Sequence, residues 1–109
     1  MNAAHQTLLN RVKLFVTDYG LVWTQDTPGL LYTREGVPAK FGTKGASDLG
    51  ATLRPRGRYC AIEIKTGAGK LTKEQRAFGK AVEAAGGIFI CARSVDDVAD
   101  RFREEGIIQ

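Results

Sequence analysis

The chain has 109 residues, with 16 Lys and Arg against 12 Asp and Glu, a net charge of +4 and 43% hydrophobic residues. That length predicts one globular domain over residues 1–109, because domains cluster near ~100–150 residues. Two cysteines and one histidine are too few for a Cys/His zinc cluster, which needs about four ligands.

No apolar run approaches the ~18 residues of a membrane span, and the chain does not open on a signal-peptide pattern. We therefore expect no membrane partner. The low cysteine content predicts a cytoplasmic location with reduced thiols.

The first predicted element is a helix. Apolar residues recur at helical spacing from Leu8 to Tyr19, and Gly20 supplies the expected C-terminal stop. A short strand follows over residues 21–25. From Asp26 to Ser47 no periodicity holds and Pro and Gly recur, which predicts a loop of about 20 residues. Loops longer than ~12–15 residues are more often functional or disordered than idle connectors.

A hairpin is predicted next. Residues 48–53 and 59–65 have the composition of strands, and the Pro- and Gly-containing stretch 54–58 between them fits a turn. After a glycine-rich link, Thr72–Gln75 matches a capping box, with Thr at the N-cap and Gln three residues later. This motif predicts a second helix, which stops at Gly86-Gly87.

The last two elements are a strand and a helix. Ile88–Ala92 is a continuous apolar run, as expected for a buried strand, and Ser94 caps a final helix closed by Gly106. The predicted order is α-β-β-β-α-β-α. A helical crossover between the third and fourth strands implies an α/β fold with a mixed sheet flanked by helices.

Basic residues are concentrated in the middle of the chain. Residues 34–76 contain ten Lys or Arg and four Asp or Glu, so this stretch carries +6 and the remainder −2. A basic centre between mildly acidic ends indicates a polyanion partner. The competing explanation is a basic surface that serves only solubility.

One group of side chains has the composition of a catalytic site. Side chains alternate along a strand, so Glu63 and Lys65 share a face roughly 6–7 Å apart, and the hairpin brings Asp48 close to Glu63. Two adjacent carboxylates repel unless a cation lies between them. Mg²⁺ or Mn²⁺ accepts carboxylates, water and a carbonyl such as that of Ile64. The ion lowers the pKa of a bound water, and a lysine can orient that water or stabilise the transition state. These are the parts of a metal-dependent phosphodiesterase.

Each of these residues also has a simpler explanation. Glu-x-Lys on a strand is often a solvated face with a weak ion pair. Asp48 beside Gly45 fits an Asx turn, and the capping box accounts for Gln75. Cys60 and Cys91 fall within strands and are typical of small buried hydrophobes rather than nucleophiles. The functional interpretation depends on the conjunction of one hairpin, one face, a basic surround and a long adjacent loop.

The combined pattern resembles the VRR-NUC nucleases of the PD-(D/E)xK superfamily over about residues 23–93. The motifs that carry the resemblance are Lys44–Leu49, Glu63–Thr66, Leu71–Gln75 and Gly86-Gly87.

The resemblance implies a restriction-endonuclease-like fold and a specific set of site residues. By that resemblance, Asp48 and Glu63 are metal ligands, Lys65 is the catalytic lysine, and Gln75 supports the site or the substrate. Small stand-alone members of the family are typically phage or prophage proteins that cut DNA, including branched junctions. The implied function is that of a Mg²⁺- or Mn²⁺-dependent endodeoxyribonuclease that hydrolyses phosphodiester bonds, with four-way junction DNA among its candidate substrates.

The chain departs from the family pattern at two places. The family often has an acidic residue early in the first helix that helps to hold metal, whereas residues 1–17 contain no Asp or Glu and His5 and Gln6 occupy that turn. His5 can ligate a metal or be simply solvated. Ser47, not Pro, precedes Asp48. A second hypothesis therefore stays open, that of a non-catalytic DNA-binding module with a degenerate site.

Candidate phosphate contacts lie in the basic stretch. An RNA-directed nuclease is a third possibility, but the aromatics expected to be exposed, Tyr32, Phe41 and Tyr59, are few for stacking on single-stranded bases. Arginines on the hairpin turn either bind phosphate or keep a sheet edge soluble. The residues predicted to contact DNA are Lys44, Arg54, Arg56, Lys70 and Lys73.

A homodimer is also predicted. One metal site cuts one strand, so concerted cutting of a duplex or junction needs two sites, and a two-fold axis would match the symmetry of such DNA. The segments Leu30–Tyr32 and Ile107-Ile108 are apolar, lie outside the periodic core and are candidates for the seam. The alternative is that both pack on their own core.

Overall fold

The computed structural model describes residues 2–25, 29–32, 34–41 and 45–109. Within this part of the chain the helices are α1 (Ala3–Val16), α2 (Lys73–Ala84) and α3 (Val95–Glu104). The strands are β1 (Gly20–Thr24), β2 (Gly29–Tyr32), β3 (Pro38–Phe41), β4 (Leu49–Leu53), β5 (Arg58–Ile64) and β6 (Ile88–Ala92).

Four of the strands form one mixed sheet in the order β1-β4-β5-β6. The first three are antiparallel neighbours, and β6 runs parallel to β5. Parallel neighbours need a crossover connection, and α2 provides it. The structure confirms the predicted α/β class, with a mixed sheet and a helical crossover.

The predicted order of elements is wrong in the segment between β1 and β4. The sequence predicts a loop there, but the segment contains β2 and β3, which pair antiparallel as a separate two-stranded sheet. Gly36, in the connection between them, has φ +82°, a conformation that favours glycine. Strands of four residues give too few positions for a period of two to be recognised. The observed order is α-β-β-β-β-β-α-β-α.

The first helix ends earlier than its apolar periodicity predicts. Its last residue is Val16, and a turn closes with the Tyr19 N–H donating to the Val16 carbonyl at 2.8 Å. Gly20, predicted as the helix stop, is instead the first residue of β1. A Cβ at this position would collide with the carbonyl oxygen of Thr52 on β4. Strand pairing, and not helix termination, therefore requires glycine here.

The hydrophobic core lies between one face of the sheet and the helices α1 and α3. Alternate residues of β4, β5 and β6 face this core, as the two-residue period of a strand requires. The large side chains with under 2% exposure that form it are Val12, Val16, Leu49, Leu53, Ile62, Ile64, Ile88, Val98 and Phe102.

The opposite face of the sheet is covered by α2, but only over β5 and β6. Gly79 of α2 lies against the ring of Phe89, close enough that an added Cβ would approach that ring to 2.5 Å. Within the described part of the chain, α2 makes no contact with β1 or β4. The predicted capping box of Thr72 and Gln75 opens α2, and Ser94 is the N-cap of α3, as the sequence predicts. None of the described helices has the length and apolar content that crossing a bilayer requires.

Candidate active site

Asp48 and Glu63 lie opposite each other at the open end of the β4–β5 hairpin. Leu49 pairs with Ile62, so the next position of the same register sets Asp48 opposite Glu63. The two carboxyl groups are hydrogen-bonded to each other, and the backbone N–H of Asp48 also donates to the Glu63 carboxyl. The structure therefore brings together the two acids that the sequence places at the ends of paired strands.

The carboxylate of Asp48 is held in place by contacts from two other elements. Its Oδ2 accepts a hydrogen bond from the backbone N–H of Ile64 at 2.8 Å, and Nε2 of His5 lies 3.4 Å from the same oxygen. The side chains of His5 and Asp48 are only 19% and 20% exposed. His5 is thus part of this site and not a freely solvated side chain, because α1 begins beside the carboxylate pair.

Glu63 is 4% exposed and is the only buried charged side chain among the described residues. Burial raises the pKa of Glu63, and Asp48 raises it further through the shared hydrogen bond and through its like charge. Lys65 and the Asp48 backbone N–H lower the pKa, and the result is about 8. In the metal-free chain this raised pKa favours the protonated form of Glu63 near neutral pH, as expected for a buried acid beside a second acid.

Lys65 follows Glu63 by two residues at the end of β5 and is half-buried. Its backbone N–H donates to the carbonyl of Ala92 at 3.0 Å, which fixes the strand end. Its Cδ lies 3.8 Å from the position that a Cβ on Gly69 would occupy. The positive charge lowers the pKa of Glu63, so the lysine acts electrostatically on the acid pair, as the alternation of side chains predicts.

The backbone of Ile64 contributes to the same edge. The N–H and C=O of one strand residue point to the same side, and the N–H of Ile64 points to Asp48. The carbonyl of Ile64 is therefore directed to the same side of β5, towards the carboxylates at the open end of the hairpin. Two carboxylates and a carbonyl are oxygen ligands of the kind that Mg²⁺ and Mn²⁺ take, with water completing the coordination.

A larger ligand cluster is not found. Over residues 2–25, 29–32, 34–41 and 45–109, no group of three or more His, Cys, Asp or Glu is arranged to hold a metal ion. The candidate metal ligands at the hairpin end are therefore the two carboxylates and the carbonyl of Ile64. It meets the requirement of Mg²⁺, which binds proteins through one or two carboxylates and keeps several waters.

Gln75 lies in the first turn of α2, where its side chain serves the capping box. Its Oε1 accepts from the Thr72 N–H at 2.9 Å, and its own N–H donates to the Thr72 hydroxyl at 3.1 Å. The loop before β4 touches this turn, because a Cβ on Gly45 would collide with the backbone of Glu74. The start of α2 is therefore adjacent to the segment that leads into Asp48.

The predicted phosphate-binding residues divide into two groups. Lys70, in the segment between β5 and α2, and Lys73, the first residue of α2, are exposed on the same end of the hairpin as the acid pair. Arg54 and Arg56 are exposed on the β4–β5 turn, at the opposite end, six or more residues from Asp48. At ~3.3 Å per residue that separation is about 20 Å.

Further facts bear on two of the predicted phosphate contacts, Arg54 and Lys44. The guanidinium of Arg54 donates to the backbone carbonyl of Asp18, so it is partly engaged within the fold. Lys44 lies outside the described residues. Arg93, which sequence analysis did not single out, bonds the carbonyls of Gly67 and Gly69 and so shapes the link that carries Lys70.

The two cysteines have the character expected of packing residues. Cys60 is buried, and burial raises the pKa of its thiol to about 12. Cys91 is half-buried, and desolvation raises the pKa of its thiol as well. A thiol with a raised pKa is a poor nucleophile near neutral pH, which agrees with the prediction from their positions in strands.

Sequence analysis missed two residues beside the acid pair, Trp23 and Gln25. The Gln25 N–H donates to the carbonyl of Asp48 and its Nε2 donates to the carbonyl of Ser47, both at 2.9 Å. Its Oε1 accepts from the Tyr59 hydroxyl at 2.7 Å. A period of two along β1 places Trp23 and Gln25 on one face, but only the pairing of β1 with β4 shows which residues they adjoin.

The fold and these residues define a protein of the α/β class with a buried carboxylate pair at the open end of a central hairpin. No model of a known protein family matches the chain, and no curated protein compared with it matches either.

Proposed function

We propose that this protein is a metal-dependent endodeoxyribonuclease with a PD-(D/E)xK-like site, of the VRR-NUC type that its motifs resemble. The observation that carries the proposal is the pairing of Asp48 with the buried Glu63. A buried acid whose pKa is raised to about 8 by a neighbouring acid is costly to the fold and serves no packing purpose that an apolar residue would not serve better. Strongly perturbed acids of this kind concentrate at functional sites.

A bound divalent cation would explain why two acids lie side by side in a largely buried position. Asp48, Glu63 and the Ile64 carbonyl would hold Mg²⁺ or Mn²⁺, and the charge of the ion would let both acids ionise. When bound, such an ion supplies a more acidic water and neutralises charge on a phosphodiester. The chain's own contribution is the placement of the ligands: Asp48 is fixed by the Ile64 N–H, and Glu63 is buried on β5, one of the two inner strands of the sheet.

Lys65 would act next to the ligands and not as one of them. An ammonium group is a compact, flexible point charge with three donors, suited to orienting a water or to stabilising charge that develops on phosphate oxygens. Its placement two residues after Glu63 keeps it beside the acid pair without making it the direct partner of either acid. Lys65 is therefore proposed as the catalytic lysine.

DNA is the proposed substrate because of the charge of the middle stretch. Residues 34–76 carry +6, and Lys70 and Lys73 are exposed beside the carboxylate end. Arg54 and Arg56 lie about 20 Å away, a distance that about six base pairs span at 3.4 Å each. The basic residues at the two ends of the hairpin would thus contact different phosphates along the same duplex arm.

A non-catalytic DNA-binding module is the second candidate, and one observation favours it. The first turn of α1 has no acidic residue, and its His5 lies with Nε2 3.4 Å from Oδ2 of Asp48. A site with this arrangement would bind DNA through its basic residues and hydrolyse nothing.

A nuclease assay separates the two candidates. Linear, supercoiled and four-way junction DNA are incubated with the protein in Mg²⁺ or Mn²⁺, with and without EDTA. The proposal expects cleavage that requires the ion and stops in EDTA. Binding to the same DNAs with no cleavage under any of these conditions would support the non-catalytic module instead.

A further inference from the structure

An exposed aromatic platform adjoins the carboxylate pair. Trp23 on β1 is 40% exposed, although it has a large aromatic side chain, and it is the only tryptophan of the chain. Its ring is stacked against Tyr59, with centroids 6.4 Å apart and an angle of 29° between the planes. On the same face of β1, Leu21 is 74% exposed. This part of the sheet is the part that α2 does not contact.

The platform is held in position by its surroundings. The indole lies directly over Gly50 of β4: a Cβ there would approach the ring atoms of Trp23 to 2.8 Å and Oε1 of Gln25 to 2.5 Å. Gln25 in turn accepts from the Tyr59 hydroxyl at 2.7 Å. Because Gly50 has no side chain, the indole ring can lie directly on the backbone of β4. The hydrogen-bonded side chain of Gln25 packs beside the ring. An aromatic pair that is positioned and still exposed is suited to contact a ligand.

Strand pairing sets the platform next to the acids. Trp23 pairs with Gly50, so Asp48, two residues before Gly50 on the same face, is the diagonal neighbour of Trp23. Diagonal neighbours in an antiparallel pair are about 7–8 Å apart. A phosphate at the carboxylate pair and a base on the indole would therefore belong to the same nucleotide or to adjacent ones.

We infer that Trp23, supported by Tyr59, stacks on an unpaired base of the DNA strand next to the phosphate held at Asp48 and Glu63. This inference rests on the proposed nuclease function and adds to it a substrate class: DNA with unpaired nucleotides, such as a flap or an open branch point. In a continuous duplex both faces of each base are already stacked, so a base is available to the platform only where pairing is interrupted.

The single tryptophan makes binding directly observable. Wild-type protein in EDTA is titrated with a blunt-ended duplex of two fully complementary strands, with the same duplex carrying a short 3′ flap, and with the flap strand alone. Tryptophan fluorescence is expected to be quenched by the flapped duplex and by the single strand, and to change little with the blunt duplex. Equal quenching by the blunt and flapped duplexes would overturn the inference.

Substitutions test the role of the ring by affinity, measured from the anisotropy of labelled DNA. Trp23→Ala is expected to weaken binding to the flapped duplex about 5- to 150-fold, the range for loss of one stacked base, and to change blunt-duplex binding less than about twofold. Trp23→Phe keeps a ring and should retain most of the affinity, whereas Trp23→Leu keeps apolar bulk without a π-face and should not. Leu21→Ala, on the same face of the same strand, is the matched control and should leave both affinities unchanged.

The outcomes distinguish failure of this inference from failure of the proposed function. If the wild-type protein cleaves DNA in Mn²⁺ and Trp23→Leu binds and cleaves both duplexes as the wild type does, the platform is not a base-stacking site and the nuclease proposal stands. If the flap preference depends on Trp23 but no cleavage occurs in Mn²⁺, the platform is supported and the nuclease proposal fails. Circular dichroism of each variant shows that the fold is retained.

Discussion

Replacing Glu63 with glutamine should make the metal-free protein more stable at high pH and abolish its response to divalent ions. Glutamine is nearly isosteric with the protonated acid, and its amide can donate to Asp48 as the shared proton does. The wild-type chain, in contrast, must ionise a buried acid beside a second acid as the pH rises. The variant removes that cost and leaves the hydrogen bond.

The direction and size of the effect follow from the raised pKa of Glu63. The folded protein holds this proton up to about pH 8, whereas the ordinary pKa is 4.5. Between these values the folded state binds more protons than the unfolded chain, so the stabilising contribution of the proton is present below pH 4.5 and is lost as the pH rises through 8. From about pH 5 to pH 9 the loss is at most about 4 kcal/mol. Asp48 is partly exposed, and solvent weakens its interaction with Glu63. We therefore expect the loss of stability between these pH values to be about 1–4 kcal/mol.

Urea unfolding followed by far-UV circular dichroism, in EDTA at several pH values, measures this effect. The free energy of unfolding of Glu63→Gln minus that of the wild type should rise by that amount between about pH 5 and pH 9. Titrations common to both proteins cancel in the difference. Glu104→Gln, which removes one exposed acid from α3, controls for the loss of a charge.

Divalent ions provide the second half of the test. An ion that binds only the folded state stabilises it by about 2.7 kcal/mol at a concentration one hundred times its dissociation constant. Mn²⁺ should therefore raise the urea midpoint of the wild type at neutral pH and have little effect on Glu63→Gln. A difference in stability that is independent of pH, or equal stabilisation of both proteins by Mn²⁺, would refute the assignment of a proton-sharing, metal-binding pair.

The remaining predictions concern Lys65, the start of α2, the far basic turn and the assembly. Lys65→Ala should lower the cleavage rate about 10²–10³-fold in single-turnover assays while Mn²⁺ still raises the urea midpoint; loss of that stabilisation would make Lys65 part of the metal site. Thr72→Ala and Gln75→Ala each break the same capping box and should cost about 0.5–2 kcal/mol of stability, but only Gln75→Ala should slow cleavage if the glutamine supports the site. Arg56→Ala should weaken DNA binding equally for all sequences and reduce the salt slope by about one, and an unchanged slope would exclude a phosphate contact. Light scattering should give about twice the monomer mass of 11.8 kDa, whereas the monomer mass at tens of micromolar would reject the homodimer.

The predicted dimer seam is only partly open to such a contact. Ile107 and Ile108 pack against the core of their own chain, and their N–H groups donate to the carbonyl of Phe102. For this segment the structure therefore shows packing on its own core, which is the alternative to a dimer seam. The side chains of Leu30–Tyr32 lie outside those that the structure describes, so this segment remains the candidate for the seam.

Local patterns predict much of this fold because each carries its own physical signal. The apolar run Ile88–Ala92 coincides with β6, and the Thr72 capping box marks the start of α2 correctly. The approach of Asp48 and Glu63 could also be predicted, since a hairpin with a short turn fixes which residues meet at its open end.

Features that depend on contacts between distant segments could not be predicted in this way. Gly20 has the appearance of a helix stop in the sequence, and only its pairing with β4 explains the residue. Trp23 belongs to the site because β1 lies beside β4, and nothing local in the sequence specifies that neighbour. His5 reaches Asp48 because α1 packs with its first turn at the hairpin end, which again is a tertiary arrangement.

The most direct test of the nuclease proposal is the cleavage of DNA in Mn²⁺ by wild-type protein and by Glu63→Gln, prepared side by side. We expect the wild type to cleave, EDTA to stop it, and Glu63→Gln to be inactive with its circular dichroism spectrum unchanged. Cleavage that persists undiminished in Glu63→Gln would contradict the assignment of this site, whatever family the motifs resemble.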